Sequence, residues 1–202
     1  MTLPYMNQDF IYLASASPRR AELLGQIGVR FSTLIPDLDE TPLTGELPED
    51  YVVRIAKEKA EFAGEHLVPA GSAVLAADTA VVLGDDIFGK PLDRDDALAM
   101  LAKLSGREHR VFTAVALYVE ATTRFVVSES KVEFKIFSPG EAEAYWNTGE
   151  PADKAGAYGI QGMGAVFVKH LQGSYSGVMG LPLFETAQLL SEAGLASMVT
   201  RK

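Results

Sequence analysis

The sequence predicts an α/β fold, on three observations. Short apolar runs alternate with stretches of helical periodicity through the first eighty residues. Ser72 to Leu83 is a near-continuous apolar run, which suits a central strand covered on both faces. Two long segments, His109 to Glu120 and Arg124 to Phe137, alternate apolar with polar residues. They read as antiparallel strands joined around Ala121-Thr122-Thr123.

The elements follow in order. Phe10 to Leu13 is a strand that stops at small hydroxyl residues, and Pro18 then opens a helix running to about Gln26 and ended by Gly28. Ser17 precedes that proline as its N-cap. Phe31 to Ile35 is a second short strand, and an acidic loop, Pro36-Asp37-Leu38-Asp39-Glu40, follows it. A helix over roughly Glu49 to Glu65 begins with acidic residues in its first turn. After the central run, Gly84-Asp85-Asp86 turns the chain back through Ile87 to Pro91. Asp93 to Leu104 is a helix stopped by Gly106. Beyond the long hairpin, Ser138 starts a helix to about Asn147, with Tyr145 and Trp146 facing inward. Val166 to Val168 reads as a strand, Gly173 to Gly177 as a polar loop, and Leu181 to Glu192 as a closing amphipathic helix.

Composition narrows the function. A chain of 202 residues holds one domain with a full core, or at most two small lobes. The net charge of −9 argues against nucleic-acid binding, which needs clustered Lys and Arg. It leaves room for a local basic pocket that takes a small anion. There are no cysteines, so disulfides, thiolate catalysis and Cys-ligated zinc are excluded. His66, His109 and His170 have no ligand spacing. No apolar run approaches a membrane span, and Met1 to Phe10 lacks the basic start of a signal peptide, so a cytoplasmic protein is expected.

Six features carry chemistry. Ser15-Ala16-Ser17-Pro18-Arg19-Arg20 places two arginines in the first turn of a helix, against the dipole, which makes sense if an anion sits there; a solvated arginine pair is the alternative. Lys59 falls in the middle of the apolar stripe Val52, Ile55, Ala56, Phe62 and Ala63, so it must snorkel to water or meet an anion. Asp78 interrupts the central apolar run and needs a partner, a hydrogen bond or a metal. Lys90, across the turn, either faces Asp78 or is an exposed edge lysine. The acidic loop could hold a divalent cation through oxygen ligands or be a plain hydrophilic turn. Gly149 to Gly164 carries five glycines among Glu, Asp, Lys and Gln, a composition suited to a ligand loop.

The ordered set Ser15-Ala16-Ser17-Pro18-Arg19-Arg20, Lys59-Ala60, Ala77-Asp78-Thr79, Gly89-Lys90-Pro91, Gly149-Glu150-Pro151, Asp153-Lys154-Ala155-Gly156 and Gly180-Leu181-Pro182 resembles the Maf family of nucleotide pyrophosphatases. The resemblance covers roughly residues 10 to 192 of one domain. It implies an α/β fold shared with the inosine triphosphate pyrophosphatases: an elongated, mixed, bent sheet flanked by helices, in two lobes around a cleft. It implies hydrolysis of a nucleoside triphosphate to the monophosphate and pyrophosphate, assisted by Mg²⁺ or Mn²⁺. Asp78 corresponds to the family's proton acceptor, and Arg19, Thr79 and Gln161 to its base-specificity positions. Ser15, Ser17, Arg20, Lys59 and Lys90 are then expected to hold phosphate, and Glu40 and Asp78 the metal. Tyr158-Gly159-Ile160-Gln161-Gly162 is similar to the branch acting on dTTP and UTP rather than the branch acting on 7-methyl-GTP. Gly177 stands where the family has Asn. The family allows a homodimer. Nucleotidyl transfer is the alternative within enzymes, and a non-catalytic nucleotide-binding regulator of cell division is the alternative from another class.

Overall fold

The computed structural model describes residues 10–195. Met1 to Asp9, on which most of the signal-peptide argument rests, lies outside the described residues. Among the described residues, seven strands form one sheet: β1 (Phe10–Ala14), β2 (Arg30–Leu34), β3 (Val74–Leu83), β4 (Asp86–Phe88), β5 (Glu108–Val119), β6 (Thr122–Phe134) and β7 (Val168–Gln172). Their order is β2-β1-β3-β5-β6-β7, with β4 beside β3. The sheet is mixed, since β1 runs parallel to β2 and β3, whereas β4 is antiparallel to β3 and β7 to β6. Among the described residues six α-helices accompany it: α1 (Pro18–Gln26), α2 (Pro48–His66), α3 (Arg94–Leu104), α4 (Pro139–Trp146), α5 (Tyr175–Met179) and α6 (Leu183–Glu192). Among the described residues, no helix is long and apolar enough to cross a membrane.

The described chain divides into two compact units, one of residues 10–78, 114–127 and 180–195, the other of Thr79–Thr113 and Ser128–Met179. In the first, β1 lies between its parallel neighbours, with Leu13 opposite Thr33 on one side and Leu75 on the other. The chain leaves β1 through α1 to reach β2, then crosses through α2 to β3 on the far side of β1. Strand order therefore reverses at β1, and the carboxyl ends of parallel strands at such a reversal are where α/β sheets bind ligands. Ala14 ends β1 opposite Ala76. Ser15 to Arg20 and Asp78 consequently emerge at that end.

Helix α2 shows how the sequence pattern becomes packing. Val52, Ile55, Ala56, Ala60 and Ala63 are buried, and Lys59 is buried in line with them at 8% exposure. At about 25 cal/mol per Å² each fully buried Val or Ile on this stripe contributes roughly 1.5–3 kcal/mol, so the helix is anchored firmly enough to carry a buried charge.

The second unit has an aromatic core. The Phe134 ring lies 4.7 Å from Tyr158 and 4.8 Å from His109, and Phe137 lies 4.4 Å from Phe167. His109 pairs with the Tyr158 hydroxyl at 2.9 Å, and burial lowers its pKa to about 4, so it is a neutral core histidine at pH 7. Asp93 caps α3 by accepting from the Asp96 N–H, and Ser138 with Glu141 forms a capping box on α4. Tyr145 is buried, whereas Trp146 is only partly so.

Two local expectations are corrected. Residues 163–167 form a 3₁₀ turn, and the strand starts only at Val168. The stretch expected as a polar loop at Gly173 to Gly177 turns instead into the short helix α5, because the Ser174 hydroxyl accepts from the Gly177 N–H at 3.0 Å.

Candidate active site

In the first unit two of the expected carboxylates, Glu40 and Asp78, meet the buried Lys59 ammonium, and the Arg20 charge acts on Asp78. Lys59 Nζ donates to Asp78 Oδ1 at 3.0 Å and pairs with Glu40 Oε2 at 2.8 Å. Asp78 is 6% exposed and Lys59 8%, while Glu40 reaches in from a more open position. The lysine on the apolar face thus meets anions rather than snorkelling to water. Burial raises the Asp78 pKa, and the positive charges of Lys59 and Arg20 pull it back only in part. Burial also lowers the pKa of Arg20, which nevertheless stays a cation, supported by the field of Asp78 and Glu40.

The turn after β1 is built around Ser15. Its Oγ accepts from the Ser17 N–H at 3.1 Å and from Arg20 Nη1 at 3.4 Å, while Arg20 Nε donates to the Gly180 carbonyl at 2.8 Å. Arg20 is thereby clamped between the β1–α1 turn and the Gly180-Leu181-Pro182 segment. Ser17 occupies the N-cap position of α1, yet its side chain makes no capping bond. Its expected role as a capping hydroxyl is corrected: the Ser15 hydroxyl organises this turn. Arg19, half-buried, follows in the first helical turn.

Glu40 sits on a long loop that α2 pins from one side. Tyr51 donates its hydroxyl to the Glu40 carbonyl at 3.0 Å, and burial, with the charges of Asp78 and Glu40, raises its pKa. Arg54 holds Glu46 bidentately at 2.6 and 2.8 Å and donates to the Thr41 carbonyl at 3.2 Å. Tyr51 and Arg54 are three residues apart on one helical face. Neither was singled out by the sequence, because a Tyr and an Arg on an exposed helix flank look like ordinary surface.

The remaining expected residues belong to the second unit. Thr79 follows Asp78 on β3 and so points to the opposite face of the strand; its hydroxyl bonds that of Thr113 at 2.9 Å. Lys90 is exposed just after β4. Gln161 is exposed on the glycine-rich loop, whose shape is set by Glu150. That carboxylate accepts from Tyr145 Oη at 2.7 Å, from Met163 N at 2.8 Å and from Gly164 N at 3.0 Å. The glycines are close-packed against this clamp, since a Cβ on Gly164 would lie 2.6 Å from Tyr145 Oη and 2.7 Å from the Gly159 carbonyl. Glu150 and Tyr145 are positioning residues for which the sequence signal was only the motif Gly149-Glu150-Pro151.

Among the described residues there is no group of three or more His, Cys, Asp or Glu that could hold a metal by itself. Two carboxylates meeting one cation are still a donor set suited to Mg²⁺, which takes one or two carboxylates and completes its shell with water and substrate phosphate. Glu40 and Asp78 converge on a single ammonium, so they meet that requirement.

Comparison with known proteins shows which family the chain is similar to. A dTTP/UTP pyrophosphatase of Pseudoalteromonas atlantica is 52% identical over 92% of this chain and 98% of its own length. Another so named from Methylobacillus flagellatus is 51% identical over 95% of this chain and 96% of its length. The solved structure of the Staphylococcus aureus Ham1 protein covers 62% of this chain and 71% of its own at 17% identity, with a TM-score of 0.43, a likeness below the level that shows a common fold. The family model described as Maf-like protein matches residues 10–193. That span runs from the first residue of β1 to just past α6 and takes in every residue placed above, so the chain belongs to the Maf-like protein family.

Proposed function

We propose that this protein hydrolyses dTTP and UTP to the nucleoside monophosphate and pyrophosphate. The observation that carries the reading is the buried Lys59–Asp78 pair, met by Glu40 and lying beside Arg20, just beyond the carboxyl end of β1 where the strand order reverses. The names of the relatives support the substrate.

Pyrophosphate hydrolysis asks for charge stabilisation and an aimed water more than for covalent participation. Arg20, Arg19 and Lys59, with the N-terminus of α1, supply positive potential for the phosphates, and Lys90 joins them in this reading. Asp78, with its raised pKa, is a better proton acceptor than an exposed aspartate and takes a proton from the water that attacks the α-phosphorus. The new bond joins that water oxygen to phosphorus; the bond to the bridging oxygen breaks, and pyrophosphate leaves with its electron pair. Glu40 and Asp78 would hold a divalent cation, Mg²⁺ or Mn²⁺. When bound, it neutralises phosphate charge. Arg19, Thr79 and Gln161 read the base. A cytoplasmic setting and an assembly of two copies belong to the same proposal.

A pyrophosphate-release screen over common and methylated nucleoside triphosphates, with Mg²⁺ or Mn²⁺, tests the reading. UTP and dTTP should be turned over fastest, with monophosphate and pyrophosphate formed in equal amounts and no second acceptor needed. A preference for purines or for 7-methyl-GTP would overturn the branch assignment, and absence of turnover on every nucleotide would favour a binding role.

A further inference from the structure

We propose that Thr113 and the Gly177 carbonyl fix the Thr79 hydroxyl as a hydrogen-bond acceptor, and that this polarity selects uracil and thymine over cytosine. The proposal rests on the reading above in which Thr79 meets the base. Two distances carry it: Thr113 Oγ1 lies 2.8 Å from the Gly177 carbonyl oxygen and 2.9 Å from Thr79 Oγ1.

The direction of the relay follows from proton counting. A carbonyl oxygen can only accept, so the single proton of Thr113 is committed to Gly177. The Thr79–Thr113 bond must then use the proton of Thr79. With that proton spent, any other polar group meeting Thr79 Oγ1 has to donate to it.

The surroundings hold this state in place. Thr113 is fully buried on β5, so water does not compete for its hydroxyl. Gly177 is fixed in turn: its N–H donates to Ser174 Oγ at 3.0 Å, and a Cβ there would lie 3.0 Å from the Ser174 Cβ and 3.3 Å from Ser128 Oγ. Reversing the relay would leave the buried Gly177 carbonyl without its donor, an unfavourable state. Glycine at 177, where the resemblance leads one to expect asparagine, is thus a position whose backbone carbonyl rather than its side chain does the work.

The bases divide on this polarity. Uracil and thymine carry an N3–H donor, whereas cytosine carries a bare N3 acceptor in the same place. Set against N3, an acceptor-only Thr79 pairs with the first two and sets two lone pairs against each other with the third. Sites built to pair with a substrate N–H reject analogues that lack it. UTP and CTP are the right test pair, because they share size, ribose and triphosphate.

Thr113 is a positioning residue here, acting through Thr79. The experiment measures kcat/KM for UTP and for CTP with the wild-type enzyme, Thr113→Val, Thr113→Ser and Thr79→Val. Thr113→Val frees the Thr79 proton and should lower the UTP:CTP ratio about tenfold, the worth of one ordinary hydrogen bond. Thr113→Ser restores the hydroxyl and should restore the ratio, which a role in packing alone would not do. If Thr113→Val fails to fold, Thr113→Cys, a weaker donor of similar size, should lower the ratio in the same direction. A ratio unchanged in the Thr113→Val or Thr113→Cys variant but lowered in Thr79→Val overturns the relay and leaves the base reading standing. A ratio unchanged in Thr79→Val overturns the base reading, and the relay with it.

Discussion

Burial lifts the Asp78 pKa above its ordinary value although two cations oppose the shift, and that fixes the sign of its effect on stability. A carboxyl whose folded pKa lies above its unfolded value stabilises the fold fully below the unfolded value, and loses that contribution as pH rises through the folded one. At neutral pH ionised Asp78 therefore weighs against folding. Asp78→Asn should abolish turnover yet melt no lower than the wild type at pH 7.5, and its advantage should shrink as pH falls toward 4. Thermal melts across that range read the difference; a variant penalised most at neutral pH would refute the assignment. Lys59 behaves oppositely. Removing it strands a buried carboxylate, so Lys59→Met should cost about 3 kcal/mol at pH 7.5 in urea denaturation, and less at low pH, where Asp78 becomes neutral. A loss below about 1 kcal/mol would mean that water reaches Asp78 freely. Both residues were legible in the sequence for one reason: a charge on an apolar face or in an apolar run contradicts its surroundings. Thr113 was not, because Val111-Phe112-Thr113-Ala114-Val115 reads as an ordinary strand in which threonine is at home.

At the scale of elements, the glycine-rich loop and α1 use glycine in opposite ways. Gly164 lies against Tyr145 Oη and the Gly159 carbonyl, and the latter is backbone that cannot swing aside. Gly164→Ala should displace the loop carrying Gln161, seen as a raised KM for UTP and a melting loss of the size expected for overpacking, about 1–3 kcal/mol. Gly25, near the end of α1, has nothing within 4 Å of where a Cβ would go. Gly25→Ala should then stabilise the protein by roughly 0.5–1 kcal/mol, with unchanged kinetics. Equal destabilisation by both substitutions would show that space around the glycines is not what decides. Element boundaries were legible where local chemistry sets them, as at Pro18 and Ser138. The strand expected at Val166 was not, because Met163 and Gly164 direct their N–H groups to Glu150, thirteen and fourteen residues earlier. Periodicity cannot register a side chain that captures backbone from outside its own window.

For the whole molecule, alternation of runs was enough to foresee an α/β fold, and the family resemblance implied a mixed sheet with flanking helices, but the runs did not give the strand order. Nothing local in β1, β2 or β3 says that β1 lies between the other two; that follows from α2 carrying the chain across β1. Yet this order brings Ser15, Arg20, Glu40, Lys59 and Asp78 into one compact unit. Folding of that unit and assembly of the proposed phosphate site are therefore coupled, and a ligand that binds only the assembled site must stabilise the fold by mass action. An α,β-imido analogue of UTP, which cannot be cleaved at the scissile position, should at one hundred times its Kd add about 2.7 kcal/mol, or roughly 5–10 °C in Tm for a chain of this size. In this reading Glu40 and Asp78 share the divalent cation with the phosphates, so EDTA should remove most of that shift and Mg²⁺ restore it. An equal shift in EDTA would show that the arginines and Lys59 suffice for binding, and would confine the cation to the chemical step. Glu40→Gln separates these outcomes further. It keeps the loop tethered through the Glu40 carbonyl and the Arg54–Glu46 pair, so loss of the Mg²⁺-dependent part of the shift in this variant reports on the carboxylate itself.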